Sequence, residues 1–297
     1  MHARQCLQST RSLTLVPMIT VTNCNTMYNL YRYWWNCTAE CDPALFPSCA
    51  AWKHSDLGPP GPPYSNCTPS TGLPWYDHDG FANPINDQLD PPRLGATATT
   101  VVSLALSAFY HNATTHGTRA AELLRVWFLQ PDTRMNPSAA FAQGIPGRCA
   151  GRGIGLIDFA TPFPELVDAV ALLRFTGAWA PADDAALKDW FAAWLEYLVG
   201  SPNGRDEAAA KNNHGSNYDR HVVAVATYLG NASVGTTVCR EAAERRIAVQ
   251  VGPNGTLPME DLRTKSEEYV APQPFVFCDA AETKLVSAAH DHPLPLS

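Results

Sequence analysis

From about residue 91 onward, apolar positions recur at the three- and four-residue intervals of an α-helix, and the breaks between runs read as helix ends. PPRLGATATTVVSLALSAFYHN opens with prolines, which a first helical turn tolerates because the missing N–H has no intrahelical partner there. HGTRAAELLRVWFLQP places Leu123, Leu124, Trp127 and Phe128 on one face and stops at Pro131. PFPELVDAVALLRFTGAW predicts another helix. APADDAALKDWFAAWLEYLVGSPNGRDE predicts the next, starting at Pro181 and punctuated by Gly200, Ser201 and Pro202; YDRHVVAVATYLGN and GTTVCREAAERRIAVQVGPNG complete the set. Five or six helices of about 12 to 18 residues, joined by short loops and without alternating strands, predict an all-α protein built of antiparallel helical hairpins. Trp127, Trp190 and Trp194 fall on apolar helical faces and are expected in the core. NPSAAFAQGIPGRCAGRGIGLIDFATPF is glycine-rich and reads as loop; it lacks the preceding strand and the Lys-Ser/Thr pair of a phosphate-binding loop.

The first 90 residues follow other rules. Gly-Pro-Pro-Gly-Pro-Pro at 58–63 cannot be helical, since proline removes donors and restricts the residue before it. Six of the nine cysteines (Cys6, Cys24, Cys37, Cys41, Cys49 and Cys67) lie here, beside the aromatic clusters YRYWWNC and GLPWYDHDG. An irregular, disulfide-tied segment is expected over residues 1–71, ahead of a helical domain over 72–297. There is no CxxC pair, and Cys37-x3-Cys41 has no matching His/Cys partner at zinc spacing, so disulfides are favoured over metal binding. Glycosylation sequons at Asn36, Asn66, Asn112, Asn231 and Asn254 point the same way, to an oxidising secretory route and a secreted, extracellular protein. The N-terminal stretch is a poor match to a signal peptide: its apolar part, Leu13 to Val21, is interrupted by Pro17. No apolar run reaches the roughly 18 residues of a membrane span. A net charge of −7 and a pI near 5.7 argue against nucleic acid as a partner. An anionic ligand would need a local cluster, for which Arg148, Arg152, Arg205, Lys211 and Arg220 are available; the alternative for these is a solvated face.

The most unusual chemistry lies in GRDEAAAKNNHGSNYDRHVVAVATYLGN, residues 204–231, where two uncharged amides adjoin an imidazole. Some fifty residues later comes Leu-Pro-x-Glu-x-x-Arg-Thr-Lys-Ser. With AAELLRVWFLQPDTRMNPS and FAQGIPGRCAGRGIGLID, these blocks resemble the alginate lyase domain family over roughly residues 72–275. The resemblance implies an incomplete α/α toroid of the kind shared with chondroitin AC lyases, and cleavage of uronic-acid polysaccharides by β-elimination. Here Asn217 stands where family members commonly carry an aromatic residue, and Glu268 where many carry histidine; without closing helices after Phe277, the toroid is expected to be C-terminally incomplete.

β-Elimination sets clear demands. Removing the C5 proton of a uronate spreads negative charge into a carboxylate that must first be neutralised, and preorganised donors can contribute about 3–4 kcal/mol each. Asn213 and Arg263 are the residues expected to do this, with Asn212 helping or capping a helix that starts near Tyr218. His214, with a reference pKa of about 6.5, is the expected base. By the resemblance, Tyr269 protonates the leaving oxygen, its phenol tuned by Arg263. Trp34, Trp35 and Tyr76 are the expected sugar-stacking platform, and Gln143 and Arg152 could line a cleft. The implied ligand is a uronate polymer handled by a monomer without metal or organic cofactor; the spacing of His214, Asp219 and His221 matches no common metal-ligand pattern. Two rivals remain: a glycoside hydrolase using a carboxylate pair among Asp206, Glu207 and Asp219, and a carbohydrate-binding protein without activity.

Overall fold

The computed structural model describes residues 89–145, 156 and 160–261, together with Asn83, Asn86 and three short strands nearer the N-terminus. The chain divides into two compact units, Met1–Asp206 and Glu207–Ser297.

In the first unit α1 (Asp90–His111) carries prolines in its first turn and buries Leu94, Ala98, Val101, Ala105 and Ala108, one stripe along the helix. It ends where Asn112 turns left-handed, with φ 52°. Two residues then lead into α2 (Thr114–Leu124), and α1 packs against both α2 and α3 (Phe163–Phe175). Gly117 lies in that packing. A Cβ there would sit 2.8 Å from the Ala178 Cβ in the loop after α3 and 3.3 Å from the Ala108 Cβ on α1, so a larger residue would push α2 away from both. From α2 the chain continues through a π-helical turn, Arg125–Leu129, which buries both Trp127 and Phe128 before Pro131 ends the run. Arg125 donates to Asp183 Oδ2 from Nε (2.9 Å) and Nη2 (2.7 Å), and its guanidinium lies 5.7 Å from the centre of the Trp179 ring.

α4 (Pro181–Gly200) supplies Trp190, Phe191 and Trp194. With Phe128 and Phe163 these form an aromatic core; neighbouring ring centres lie 4.8 to 5.9 Å apart, mostly edge to face. The Trp190 indole donates to the Met135 carbonyl at 2.7 Å, which removes the cost of burying its N–H. The all-α class and the core positions of Trp127, Trp190 and Trp194 are as expected. At 22 and 20 residues, α1 and α4 are longer than expected.

Nearer the N-terminus the described residues form short strands. Strand β1 (Tyr28–Leu30) pairs in parallel with β4 (Phe141–Gly144), and β2 (Trp34–Trp35) pairs antiparallel with β3 (Tyr76–Asp77). Phe141–Gly144 therefore corrects the reading of that whole stretch as loop. Strands of two to four residues are too short to show a period of two against a glycine-rich background.

Of α5 (Pro202–Ala209), the residues from Glu207 onward belong to the second unit, which continues with α6 (Asn213–Tyr228). α7 (Ala232–Ala242) packs on α6 and continues through a second π-helical turn, Ala243–Ile247, into the short α8 (Ala248–Gln250); α9 is Pro258–Asp261. α6 starts five residues ahead of Tyr218, a second correction. His221 on α6 is fully enclosed. Burial, helped by the charge of Arg220, lowers its pKa to about 3.

Two outcomes are expected. Trp194→Ala should lower unfolding free energy in urea by about 3–5 kcal/mol, the usual cost of emptying an aromatic core position. For His221 the unfolded chain takes up a proton near pH 6.5 that the native state refuses, so its contribution is complete above that pH and declines as pH falls toward 3. His221→Leu should flatten this part of the stability curve between pH 6.5 and 3, read from urea midpoints at each pH.

Candidate active site

The Asn-Asn-His-Gly sequence forms the start of α6. Asn212 is the cap: its Oδ1 accepts the His214 backbone N–H at 3.2 Å, satisfying one of the donors a helix start leaves over. Asn213 is the first helical residue and is half-buried. His214, 9% exposed, places Nδ1 3.1 Å from Oε1 of Glu207, a carboxyl group 1% exposed on the last turn of α5. With Glu207 as carboxylate, an acceptor only, the shared proton belongs to Nδ1; this assigns the lone pair to Nε2.

The rest of the second unit holds this helix start in place. Ser216 donates to Gln250 Oε1 at 2.9 Å, and Gln250 Nε2 donates back to the Asn212 carbonyl at 2.9 Å. Arg246, 6% exposed, donates from Nε to Asp219 Oδ2 at 2.8 Å and from Nη2 to Oδ1 at 2.9 Å. Its remaining donors take the carbonyls of Ala210 (2.7 Å) and Ala208 (2.9 Å), the orphan acceptors where α5 ends. Arg245 adds a 2.6 Å bond to Asp219 Oδ1, so two consecutive residues of the π-helical turn reach one carboxylate. Gly215 explains itself here. A Cβ would run into the Ala210 carbonyl oxygen and the Arg246 guanidinium, whose Cζ lies 2.7 Å from that position. Tyr218 is buried beside Asp219; burial raises its phenol above the usual range, so it cannot readily serve as an ionised base. Asn217 buries Oδ1 without a hydrogen-bond partner among the described residues.

Of the residues expected from sequence, Asn212, Asn213 and His214 come together at this one helix start, with the capping role of Asn212 realised. Gln143 is buried in β4 in the first unit, at φ 51°, where the pairing register with β1 shifts between Tyr28 and Leu30. The backbones of Trp34, Trp35 and Tyr76 share one ladder, Trp35 opposite Tyr76. Arg152, Arg263 and Tyr269 lie outside the described residues, as does Arg148. Arg205 donates to the Gly200 carbonyl at the end of α4, and Lys211 is exposed. Sequence reading did not single out Ser216, Arg245, Arg246 or Gln250; it read Glu207 as a hydrolytic carboxylate, and Asp219 as that or as part of a metal-ligand spacing that matched no common pattern. The seven-residue interval from the carboxyl group to the histidine could not be read as one helix face, because α5 ends at Ala209 and α6 begins at Asn213 between them.

These features define an all-α protein with a carboxylate-backed histidine set among amides at a helix start. The family model described as alginate lyase matches residues 26–277, and the chain belongs to the alginate lyase family. The match begins well before residue 72 and takes in β1, β2 and β3. Among solved structures the chain is similar to an alginate lyase from Bacteroides ovatus, with 30% sequence identity and a TM-score of 0.68 over 82% of this chain. The match covers 57% of that protein, so the chain spans little more than half its length. No curated protein matches the chain.

Arg246→Leu should cost about 3–5 kcal/mol of stability, because it breaks the buried part of the ion pair, leaving Asp219 only its bond to half-exposed Arg245, and takes the donor from two carbonyls. Urea unfolding followed by circular dichroism checks this; Gly215→Ala should destabilise in the same assay, as the added methyl competes with the guanidinium for space.

Proposed function

We propose that the chain is a secreted polysaccharide lyase that cleaves an alginate-like uronate polymer by β-elimination. The observation that carries this reading is the His214–Glu207 pair at the Asn-Asn-His-Gly start of α6, inside the residues that the family model matches. In the reaction the C5–H bond breaks, its electrons form the C4–C5 double bond, and the C4–O bond breaks with its pair leaving on oxygen. His214 takes the C5 proton on Nε2, while the Nδ1–H bond to Glu207 holds the ring and stabilises the imidazolium that forms. Asn213 and Arg263 neutralise the uronate carboxylate, and Tyr269 protonates the departing oxygen. The N-terminal end of α6, with its partial positive charge, adds to the attraction for that carboxylate. Trp34, Trp35 and Tyr76 stack on sugar rings, with Gln143 and Arg152 as further contacts.

The hydrolase alternative needs two free carboxyl groups. Glu207 is buried against His214 and Asp219 is buried between two arginines, which leaves exposed Asp206 without either as a partner. The disulfide-bonded state of Cys239 supports the oxidising, extracellular route, and the protein acts as a monomer in this reading.

Polymannuronate, polyguluronate and polyglucuronate incubated with the protein test the proposal. At least one should yield products with the ultraviolet absorbance of a conjugated C4–C5 double bond. His214→Ala should lower that rate by about 10²–10⁴-fold. Glu207→Gln should lower kcat by about tenfold or more with KM little changed, since it acts on the base and not on the sugar. New reducing ends without absorbance would point to a hydrolase, and binding without turnover by the folded wild type would leave only the carbohydrate-binding reading.

A further inference from the structure

We propose that Asn112 carries an N-linked glycan whose first sugars cover the aromatic patch formed by Tyr110, Phe109 and Phe175. Asn112-Ala113-Thr114 is a complete sequon, and it falls in the exposed two-residue turn between α1 and α2. Asn112 is itself exposed and in the left-handed conformation at the C-terminus of α1.

Beside it lies a feature the lyase reading leaves unexplained. Tyr110 is 73% exposed and Phe175 69%, the two most exposed large apolar side chains among the described residues. They are joined by Phe109, whose ring centre lies 5.1 Å from each, and Leu106 one turn earlier on α1 is 41% exposed. Single exposed apolar residues are ordinary; three linked rings on one surface call for a cover. A pyranose presents a face of C–H groups that stacks well on an aromatic ring, as sugar-binding sites with tryptophan and tyrosine use. The tether fits too. Asn112 follows Tyr110 by two residues, so their Cα atoms are at most about 7.6 Å apart, within reach of the first two sugars of a chain attached to the asparagine. At the other described sequons, Asn231 and Asn254 each turn their carboxamide oxygen to their own hydroxyl residue, Ser233 and Thr256.

The inference rests on passage through a secretory route and not on the lyase reaction, so either can fail alone. The test is the full chain secreted from yeast behind a leader peptide, mapped by mass spectrometry after enzymatic deglycosylation in heavy-oxygen water. Asn112 should be occupied. Thr114→Ala, which removes the sequon and keeps the asparagine, should lower Tm by about 2–4 °C, the shift that about 1 kcal/mol gives in a domain of this size. In a Tyr110→Ser, Phe175→Ser background the same change should shift Tm by much less. An unmodified Asn112 in the secreted protein would overturn the proposal. So would an equal Tm shift with and without the rings, or a glycosylated protein that still pairs through this patch with a second copy in size-exclusion chromatography.

Discussion

The ion pair between Arg246 and Asp219 is the constraint from which the second unit takes its shape. A buried carboxylate needs neutralising and a buried guanidinium needs acceptors for its several N–H groups; each meets the other's demand, and the arginine's surplus donors go to backbone carbonyls where α5 stops. One planar group thereby joins the end of α5, the middle of α6 and the π-helical turn after α7. Since Glu207 belongs to α5 and His214 to α6, the pair sets the separation between carboxylate and imidazole without touching either. A site whose geometry depends on such support is preorganised: the cost of ordering it is met in folding and not on encounter with a sugar.

Much of this was legible in the chain. The long helices were, because α1 and α4 carry stripes of apolar residues with proline starts and glycine or asparagine ends, signals that depend on nearest neighbours alone. The family blocks were also legible, as strings of residues with a chemical purpose. What could not be read was anything that depends on residues meeting from separate segments. The start of α6 was placed too late because Asn213 to Asn217 are polar or small and show no apolar period, while the features that make them helical are a side-chain cap and the clamp from Gln250. The role of Glu207 stayed hidden for the same reason. A carboxylate's meaning changes from hydrolytic acid to orienting partner according to what it touches.

Membership of the alginate lyase family and the geometry of α6 inform different questions. The family establishes ancestry over residues 26–277, whereas the carboxylate behind His214 says what one atom of the site is prepared to do. Both bear on the balance between lyase and hydrolase, and from independent directions. An acid–base pair for hydrolysis needs two carboxyl groups open to a sugar, and among the described residues the buried ones, Glu207 and Asp219, are engaged by an imidazole and by two guanidinium groups.

The parallel ladder between Tyr28–Leu30 and Phe141–Gly144 has a kinetic consequence. Its two strands are separated by more than a hundred residues, so it cannot close until the ribosome has delivered both helices of the α1–α2 hairpin, which itself needs only local contacts. The hairpin matures first and the N-terminal strand docks late, so a nascent chain must keep that early segment from pairing elsewhere until its partner emerges.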